Sequence, residues 1–276
     1  MKIDNISPQL QLSPEGIWSS AQRGRVSYPV DGHAGCYQIE DISFWFGHRN
    51  DCIAAMVQRN PPPPGSFLDI GGGNGFVSQR LQTEGYDVVL IEPGPTGAAN
   101  ARLGRGLPVV ICATIGDAGF KPESFTALGM FDVIEHIEDD RAFLAEASRL
   151  IPSGGMLYLT IPCHGWLWSR ADVIAGHYRR HTYATLRTLL TPAYDIAYMS
   201  YFFQPLILPL LTLRALPYRL GFQRRRGVLA TETEHGTGNG MMARMLGRML
   251  RGEVAKVSAG KAMSFGASCL VAARKH

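Results

Sequence analysis

The chain has 276 residues, of which 46% are hydrophobic and 18% charged, a composition that excludes an intrinsically disordered protein and suits one large folded domain with a cap or an insertion. Its net charge of +4 is too small to indicate a nucleic-acid partner. The five cysteines include no Cys-x-x-Cys pair, so the sequence predicts neither a metal site nor a disulfide framework.

The first 64 residues are predicted to form an N-terminal cap that ends in a proline-rich spacer. They lack the apolar segment of a signal peptide, and we therefore expect a cytoplasmic protein with reduced thiols. Apolar residues recur at helical spacing over residues 43–58, which indicates an amphipathic helix. The run Pro61-Pro-Pro-Pro-Gly65 ends this helix, because proline removes a backbone donor and clashes in a helix interior.

Residues 65–203 are predicted to form the core domain, in which short apolar runs alternate with helical patterns. This alternation predicts an α/β fold with a mostly parallel sheet covered on both faces. The predicted strands are 67–70, 88–91, 109–112, 125–130, 156–161 and 194–203. The predicted helices are 76–84, 97–104, 140–150 and 182–190.

Residues 204–259 are predicted to form a helical insertion, after which residues 260–276 supply the final strand, near 263–273. The insertion contains two helical patterns, 206–219 and 241–257, separated by a loop at 227–240. Its leucines and methionines fit either a lid over an apolar ligand or ordinary core packing.

The positive charge is concentrated in the last part of the chain, where residues 204–276 carry 12 Lys and Arg against 3 Asp and Glu. Residues 196–213 contain no charge, but their prolines and tyrosines disfavour a membrane-spanning helix. Because Arg224-Arg-Arg226 follows, a weak contact with a membrane surface and a merely solvated basic surface both stay open.

A glycine-rich segment, Asp69-Ile-Gly71-Gly-Gly73-Asn-Gly75, lies between a predicted strand and a predicted helix. Glycines allow a tight turn and a close approach of the backbone to a ligand. Glu92 ends the next strand, where a carboxylate can accept hydrogen bonds from ribose hydroxyls. A dinucleotide fingerprint needs glycine at position 76, which is Phe76, and the acidic Asp69 suits a cationic ligand better than a pyrophosphate. The segment therefore favours an adenosyl cofactor.

Together with Ile91-Glu-Pro-Gly94, Phe131–Asp140 and Ile151–Pro162, this segment resembles the class I S-adenosylmethionine-dependent methyltransferases over roughly residues 66–162. The resemblance implies a Rossmann-like sheet of seven strands with the last one antiparallel, and S-adenosyl-L-methionine as the cofactor. The cofactor-binding residues it implies are Asp69, Gly71, Gly73, Gly75, Glu92, Pro93, Met130 and Phe131.

The adenine contact departs from the family pattern. Many members carry a Gly-Asp pair after the third strand, and its carboxylate binds the adenine amino group. Alignment on Glu123-Ser-Phe125 places Ala113-Thr114 there, whereas the literal Gly116-Asp117 pair lies three residues later. Thr114 and Asp117 are therefore equal candidates.

The acceptor side is predicted from two segments, Trp166–Asp172 and Gly176–Thr182, which resemble a subset of these enzymes that act on varied metabolites. His136 and His177 are the candidate catalytic bases, with His177 preferred and a capping or packing role as the alternative for His136. The candidate acceptor-binding residues are Trp166, Trp168, Tyr178, Arg179, Arg180 and His181. Guanidinium groups favour an anionic acceptor, and a solvated loop with paired charges is the alternative.

The sequence thus predicts a methyltransferase that acts on an oxygen of a small molecule, a hydroxyl or a carboxylate. Its alternatives are N-methylation, a peripheral-membrane methyltransferase of a lipid-linked or glycan acceptor, and a non-enzymatic adenosyl-binding protein. Neither the acceptor nor the oligomeric state follows from the residues, and no metal ligand is expected.

Overall fold

The computed structural model describes residues 2–21, 32–222 and 241–276, and a single sheet lies at its centre. The strands are β1 (Gln11–Leu12), β2 (Ile17–Ser19), β3 (Ser66–Ile70), β4 (Asp87–Ile91), β5 (Val110–Cys112), β6 (Ala127–Phe131), β7 (Met156–Pro162), β8 (Tyr194–Phe202) and β9 (Ser268–Lys275). The helices are α1 (Ile3–Ile6), α2 (Gly32–Ile39), α3 (Phe44–Arg59), α4 (Phe76–Thr83), α5 (Pro95–Ala99), α6 (Ile115–Ala118), α7 (Asp140–Ser148), α8 (Arg170–Ala175), α9 (Tyr183–Leu190), α10 (Ile207–Leu210), α11 (Leu216–Arg219) and α12 (Met241–Ser258).

The strand order is β1-β2-β5-β4-β3-β6-β7-β9-β8. The strands from β2 to β7 in this order run parallel, whereas β9 is antiparallel to both β7 and β8. The predicted α/β class and the antiparallel last strand are therefore confirmed. The expected count of seven strands was too low, because β1 and β2 extend the sheet beyond β5; strands of two and three residues carry too little periodicity to be recognised.

The sheet is covered on both faces, as the apolar strand sequences predict. Alternate residues of one strand point to opposite faces. Leu68 belongs to the buried cluster that includes residues of α7 and α9, whereas Phe67 belongs to the cluster that includes residues of α3 and α4. Both side chains are buried, which explains why β3 is apolar throughout apart from its first residue and Asp69.

The turn between β3 and α4 depends on its glycines. Gly71, Gly73 and Gly75 have φ values of +67°, +55° and +83°, a region that strains residues with a Cβ. A Cβ on Gly71 would also lie 2.9 Å from the Val133 side chain. The loop can therefore lie close against the end of β6.

Helix α12 of the predicted insertion is anchored to α3 through a buried carboxylate. Glu253 lies 2.8 Å from His48 Nε2 and accepts hydrogen bonds from the backbone N–H groups of Phe203 at 2.9 Å and Gln204 at 2.7 Å. Phe203 has a φ of +61°, so this carboxylate holds the sharp turn that follows β8.

The predicted domain bounds stay a prediction, although β1 and β2 from the first 64 residues belong to the central sheet. The predicted loop 227–240 and the basic run 224–226 lie outside the described residues. The helix expected at 206–219 is present as α10 and α11 joined by a π-helical turn, Leu211–Ala215. Among the helices that the structure describes, none has both the length and the apolar character needed to cross a bilayer.

Candidate active site

A cavity of about 570 Å³ lies at the carboxyl ends of β3, β4, β5 and β6. In open parallel sheets, ligands bind beyond these strand ends. The predicted site residues that line the cavity are Asp69, Gly71, Gly73, Glu92, Pro93, Thr114, Phe131, His136, His177 and Tyr178. The segment from α2 to α3 also lines the cavity, with His33, Cys36, Glu40, Trp45, Phe46 and Arg49, residues that were not among the predicted site residues.

Asp69 combines deep burial with one oxygen that lacks a partner. Its Oδ2 accepts a hydrogen bond from the Ser78 hydroxyl at 2.6 Å, whereas its Oδ1 has no hydrogen-bond partner among the described residues. Burial raises the pKa of Asp69 to about 7, against the smaller opposing effect of the Ser78 hydrogen bond. A cationic donor next to Oδ1 would both satisfy this oxygen and favour the charged carboxylate.

Glu92 joins three parts of the cavity wall. Its Oε2 accepts a hydrogen bond from the N–H of Gly73 at 3.0 Å, and its Oε1 accepts one from the N–H of Gly94 at 2.6 Å. The Nε2 of His33 on α2 lies 3.3 Å from Oε1. The carboxylate therefore fixes the glycine loop, the loop after β4 and α2 relative to one another.

Of the two adenine candidates, only Thr114 is among the residues that line the cavity. Thr114 caps α6: its hydroxyl donates to Asp117 Oδ2 at 2.7 Å and accepts from the Asp117 N–H at 3.1 Å. The side chain of Asp117 is therefore engaged in the cap of α6. Met130 and Gly75, within the described residues, also stay off the cavity wall, since Met130 is buried in the sheet and Gly75 closes the turn into α4.

Arg49 of α3 fixes the backbone at the end of β6. It lies 2.6 Å from Asp132 Oδ2 and donates a hydrogen bond to the Phe131 carbonyl at 2.8 Å. Asp132 has a φ of +58°, and its other carboxylate oxygen accepts from the Thr160 hydroxyl at 3.0 Å. The ion pair between Arg49 and Asp132 and the hydrogen bond to the Phe131 carbonyl therefore stabilise the turn that leads to His136.

His136 and His177 lie edge to face at the far end of the cavity, with ring centroids 4.7 Å apart. Burial, and next the charge of His177, lower the pKa of His136 to about 4, so that its imidazole is neutral at pH 7. The Nδ1 of His177 lies 3.0 Å from Asp172 Oδ1. Although burial opposes it, hydrogen bonds from His177 and Arg180 hold the pKa of Asp172 below its usual range. Asp172 therefore stays charged and fixes the His177 ring.

The remaining acceptor candidates make structural contacts away from the described cavity wall. Arg179 pairs with Asp140 at 2.6 Å, and Arg180 forms a two-pronged contact with Asp172 at 2.7 and 3.1 Å. His181 is buried 3.6 Å from the same Asp140. Trp166 stacks on His164 and is 41% exposed, and Trp168 also lies off the wall that the structure describes. Arg180 thus pairs with Asp172 and Arg179 with Asp140, and acceptor binding by this loop stays a prediction.

The glycine loop and its neighbouring strands lie in a part of the chain that is similar to known proteins. Residues 68–159 match the family model of a methyltransferase domain. The ubiquinone biosynthesis O-methyltransferase of Paramagnetospirillum magneticum is 32% identical over 116 residues, which are 41% of this chain and 47% of that protein. Its counterpart from Parvibaculum lavamentivorans is 27% identical over 129 residues, 42% of this chain and 50% of the relative. The chain thus spans about half the length of the curated relatives it matches.

Solved structures share the fold at low sequence identity. One is an S-adenosylmethionine-dependent methyltransferase of Thermotoga maritima, described as a possible histamine N-methyltransferase, with a TM-score of 0.55, 17% identity, and coverage of 91% of this chain and 100% of that one. Another is phosphoethanolamine N-methyltransferase 2 of Haemonchus contortus with S-adenosyl-L-methionine, with a TM-score of 0.56, 18% identity, and coverage of 91% and 58%. At these identities the likeness shows the fold.

Proposed function

We propose that this chain, whose residues 68–159 match the family model of a methyltransferase domain, is a class I S-adenosylmethionine-dependent methyltransferase that transfers a methyl group to an oxygen of a small-molecule acceptor. S-adenosyl-L-methionine is the methyl donor of this class of domain. The observation that carries the proposal is the pair of carboxylates, Asp69 and Glu92, at the ends of adjacent strands beside a loop whose three glycines have positive φ values.

The residues present fit this donor. The partnerless Oδ1 of Asp69 suits its ammonium group, and the Glu92 carboxylate at the end of β4 suits its ribose hydroxyls. Thr114 and Ile115 would line the adenine. When bound, the donor supplies a methyl group on a sulfonium, which already carries a good leaving group, so the protein has to align the acceptor and accommodate its proton.

His136 and His177 are the residues we place next to the acceptor. Both line the cavity, and His136 is neutral at pH 7, as a group must be to accept a proton from a hydroxyl. Since Asp172 occupies Nδ1 of His177, the Nε2 of that ring is left for a ligand. This arrangement supports an acceptor that loses a proton, such as a hydroxyl.

The apolar part of the cavity wall supports an acceptor with an apolar or aromatic body. Trp45, Phe46, Ile137 and Phe143 line the cavity together with the two imidazoles. A hydroxyl or carboxylate on an apolar or aromatic body matches this combination. The curated relatives are named for O-methylation in ubiquinone biosynthesis, which supports an oxygen acceptor without transferring their substrate to this chain.

The experiment has two stages. Calorimetry with S-adenosyl-L-methionine, S-adenosylhomocysteine and NAD tests the cofactor: we expect one adenosyl ligand per chain and no binding of NAD. Mass spectrometry then scores the addition of a methyl group to phenols, apolar carboxylic acids and amines. Methylation of amines alone would establish the N-methyltransferase instead, and failure to bind either adenosyl compound would refute the proposal.

A second candidate, action at a membrane surface, is favoured by the exposed face of the insertion. Leu208, Leu213, Leu220 and Phe222 are 67%, 75%, 70% and 68% exposed, and Arg219 lies on the same segment. Exposed apolar and basic side chains on one segment suit an anionic lipid surface.

Co-sedimentation with phosphatidylglycerol vesicles tests this candidate. We expect salt-sensitive binding that Leu213→Ser/Leu220→Ser weakens without changing the affinity for S-adenosylhomocysteine. Equal binding of the variant and the wild type would exclude this face.

A further inference from the structure

Three side chains at the acceptor end of the cavity converge in a way that proton transfer alone does not explain. Glu135, His136 and His177 each place one ligand-type atom so that these atoms all lie within 4.8 Å of one another. Two of the three residues, His136 and His177, line the cavity. The third, Glu135, is fully buried and is not among the described residues that line the cavity.

Glu135 is the feature that calls for a ligand. Its side chain is fully buried, and neither carboxylate oxygen accepts a hydrogen bond from another described residue. A buried carboxylate without a partner is costly and rare in native proteins.

The nearby cations do not satisfy this carboxylate. Arg49 and Arg180 are close enough to affect it electrostatically, but each is committed to another acid. Arg49 contacts Asp132 at 2.6 Å, and Arg180 contacts Asp172 at 2.7 Å. A cation bound between Glu135 and the two imidazoles would supply the missing charge.

The two imidazoles are oriented as metal ligands usually are. Metal-binding histidines commonly donate their second ring N–H to a carboxylate or a backbone carbonyl, which fixes the ring and the tautomer. His177 makes such a contact with Asp172 through Nδ1 at 3.0 Å, and the ring of His136 hydrogen-bonds to the backbone of Gly176.

We propose that Glu135, His136 and His177 bind a divalent cation of the zinc type. Two imidazole nitrogens and one carboxylate oxygen form a donor set that zinc accepts while keeping a fourth position open. That position would take the hydroxyl or carboxylate oxygen of the acceptor, because both imidazoles face the cavity. Binding of the acceptor to the cation rests on the proposed function, whereas metal binding itself does not. In this role His136 and His177 act as metal ligands.

The site requires a small contraction. Zinc–nitrogen and zinc–oxygen bonds of about 2.1 Å place tetrahedral ligand atoms about 3.5 Å apart. The ligand atoms, which lie within 4.8 Å of one another, therefore approach by up to about 1.3 Å when the cation binds. The sequence predicted no metal site because an adjacent Glu-His pair and a distant histidine match no standard ligand spacing.

The test is metal binding by the full chain, measured without any acceptor. Chelator-stripped protein is titrated with Zn²⁺ against a chromophoric zinc chelator, and with Co²⁺ while the visible absorption of the ion is recorded. We expect one Zn²⁺ per chain and a tetrahedral Co²⁺ spectrum. Glu135→Gln and His177→Asn should each weaken Zn²⁺ binding by at least about 100-fold.

His164→Asn is the matched control. It removes a partly buried imidazole outside the cluster, at a φ of +66° that asparagine tolerates, and should leave Zn²⁺ affinity unchanged. Circular dichroism checks each fold. His177, whose side chain is 15% exposed and thus less buried than Glu135, provides a variant should Glu135→Gln fail to fold.

Absence of stoichiometric Zn²⁺ binding in the wild type, or equal affinity in Glu135→Gln, His177→Asn and the wild type, would overturn the inference. Titration with S-adenosylhomocysteine keeps the two proposals apart. Protein that binds Zn²⁺ at this cluster but no adenosyl ligand would refute the proposed function and leave the metal site standing.

Discussion

Replacement of Glu92 by alanine gives the most direct test of the proposed cofactor site. The carboxylate accepts hydrogen bonds from two backbone N–H groups, of Gly73 and Gly94, and lies against His33. We expect Glu92→Ala to weaken the binding of S-adenosylhomocysteine strongly and to lower thermal stability moderately.

The magnitude follows from the contacts of one charged acceptor. A hydrogen bond to a charged group contributes about 1.5–3 kcal/mol, so the loss of one ribose contact raises the Kd about 10- to 140-fold. Detachment of the loops at Gly73 and Gly94 adds to this loss. Both loops border the cavity, so water can solvate the N–H groups, and the effect on folding should be smaller than that on binding.

The assay is calorimetric titration with S-adenosylhomocysteine, together with thermal denaturation of the free protein. Asp87→Ala is the matched control, because it removes a carboxylate from the first residue of the same strand, β4, where Asp87 accepts a hydrogen bond from Ser66. This control should bind as the wild type does. Wild-type affinity in Glu92→Ala would refute the ribose assignment and the reasoning from strand ends.

Four further predictions concern the loop, the cavity and the core. Gly71→Ala should reduce the affinity for S-adenosylhomocysteine at least about tenfold, whereas Gly85→Ala, at a φ of +92° with open space around it, should cost only about 1–2 kcal/mol of stability; equal binding by the two variants in calorimetry would contradict this. Because the pKa of Asp69 is about 7 in the fold, lowering the pH from 7.5 to 5.5 protonates the carboxyl and should weaken S-adenosyl-L-methionine binding by up to about tenfold per pH unit. Asp69→Asn should remove this pH dependence. A wild-type affinity that does not change with pH would argue against an ammonium contact. His136→Ala and His177→Ala should each slow methyl transfer to the acceptor found by the screen at least about 100-fold with no change in S-adenosylhomocysteine affinity, measured beside His276→Ala; unchanged rates in both would exclude these residues. Glu253→Ala leaves His48 and two N–H groups unpaired and should lower the free energy of unfolding by about 3–5 kcal/mol in denaturant titrations, against no more than about 0.5 kcal/mol for the exposed Glu146→Ala; similar losses would show that the buried carboxylate is not the anchor.

The elements of the core could be predicted from sequence because their physical signals are strong. The strands β3, β4, β6 and β7 are buried on both faces and therefore read as continuous apolar runs. Glycine or proline follows the helices between them, as Gly85 follows α4 and Pro152 follows α7. Asp69 and Glu92 could be found because their signal is local: an acid at the end of an apolar strand beside glycines.

The part of the cavity wall that the segment from α2 to α3 supplies could not be predicted in this way. His33 and Arg49 owe their roles to contacts with Glu92 and Asp132, residues far away in the chain, and no spacing rule reports such contacts. Glu135 was hidden for a similar reason, since nothing in Glu-His-Ile tells a buried carboxylate from an exposed one. Thr114 and Asp117 could be separated only once the turn of α6 showed which side chain caps the helix.

The position of β9 has a consequence for the order in which the protein folds during synthesis. β9 lies between β7 and β8 and pairs with both, and among the described strands β8 pairs with β9 alone. The described residues that line the cavity, 33–178, leave the ribosome earlier, yet the sheet beneath them keeps an open edge at β7 until residues 268–275 emerge. Open strand edges favour pairing with other chains. A nascent chain that stalls before this strand is therefore exposed to aggregation although the residues that line the cavity are already made.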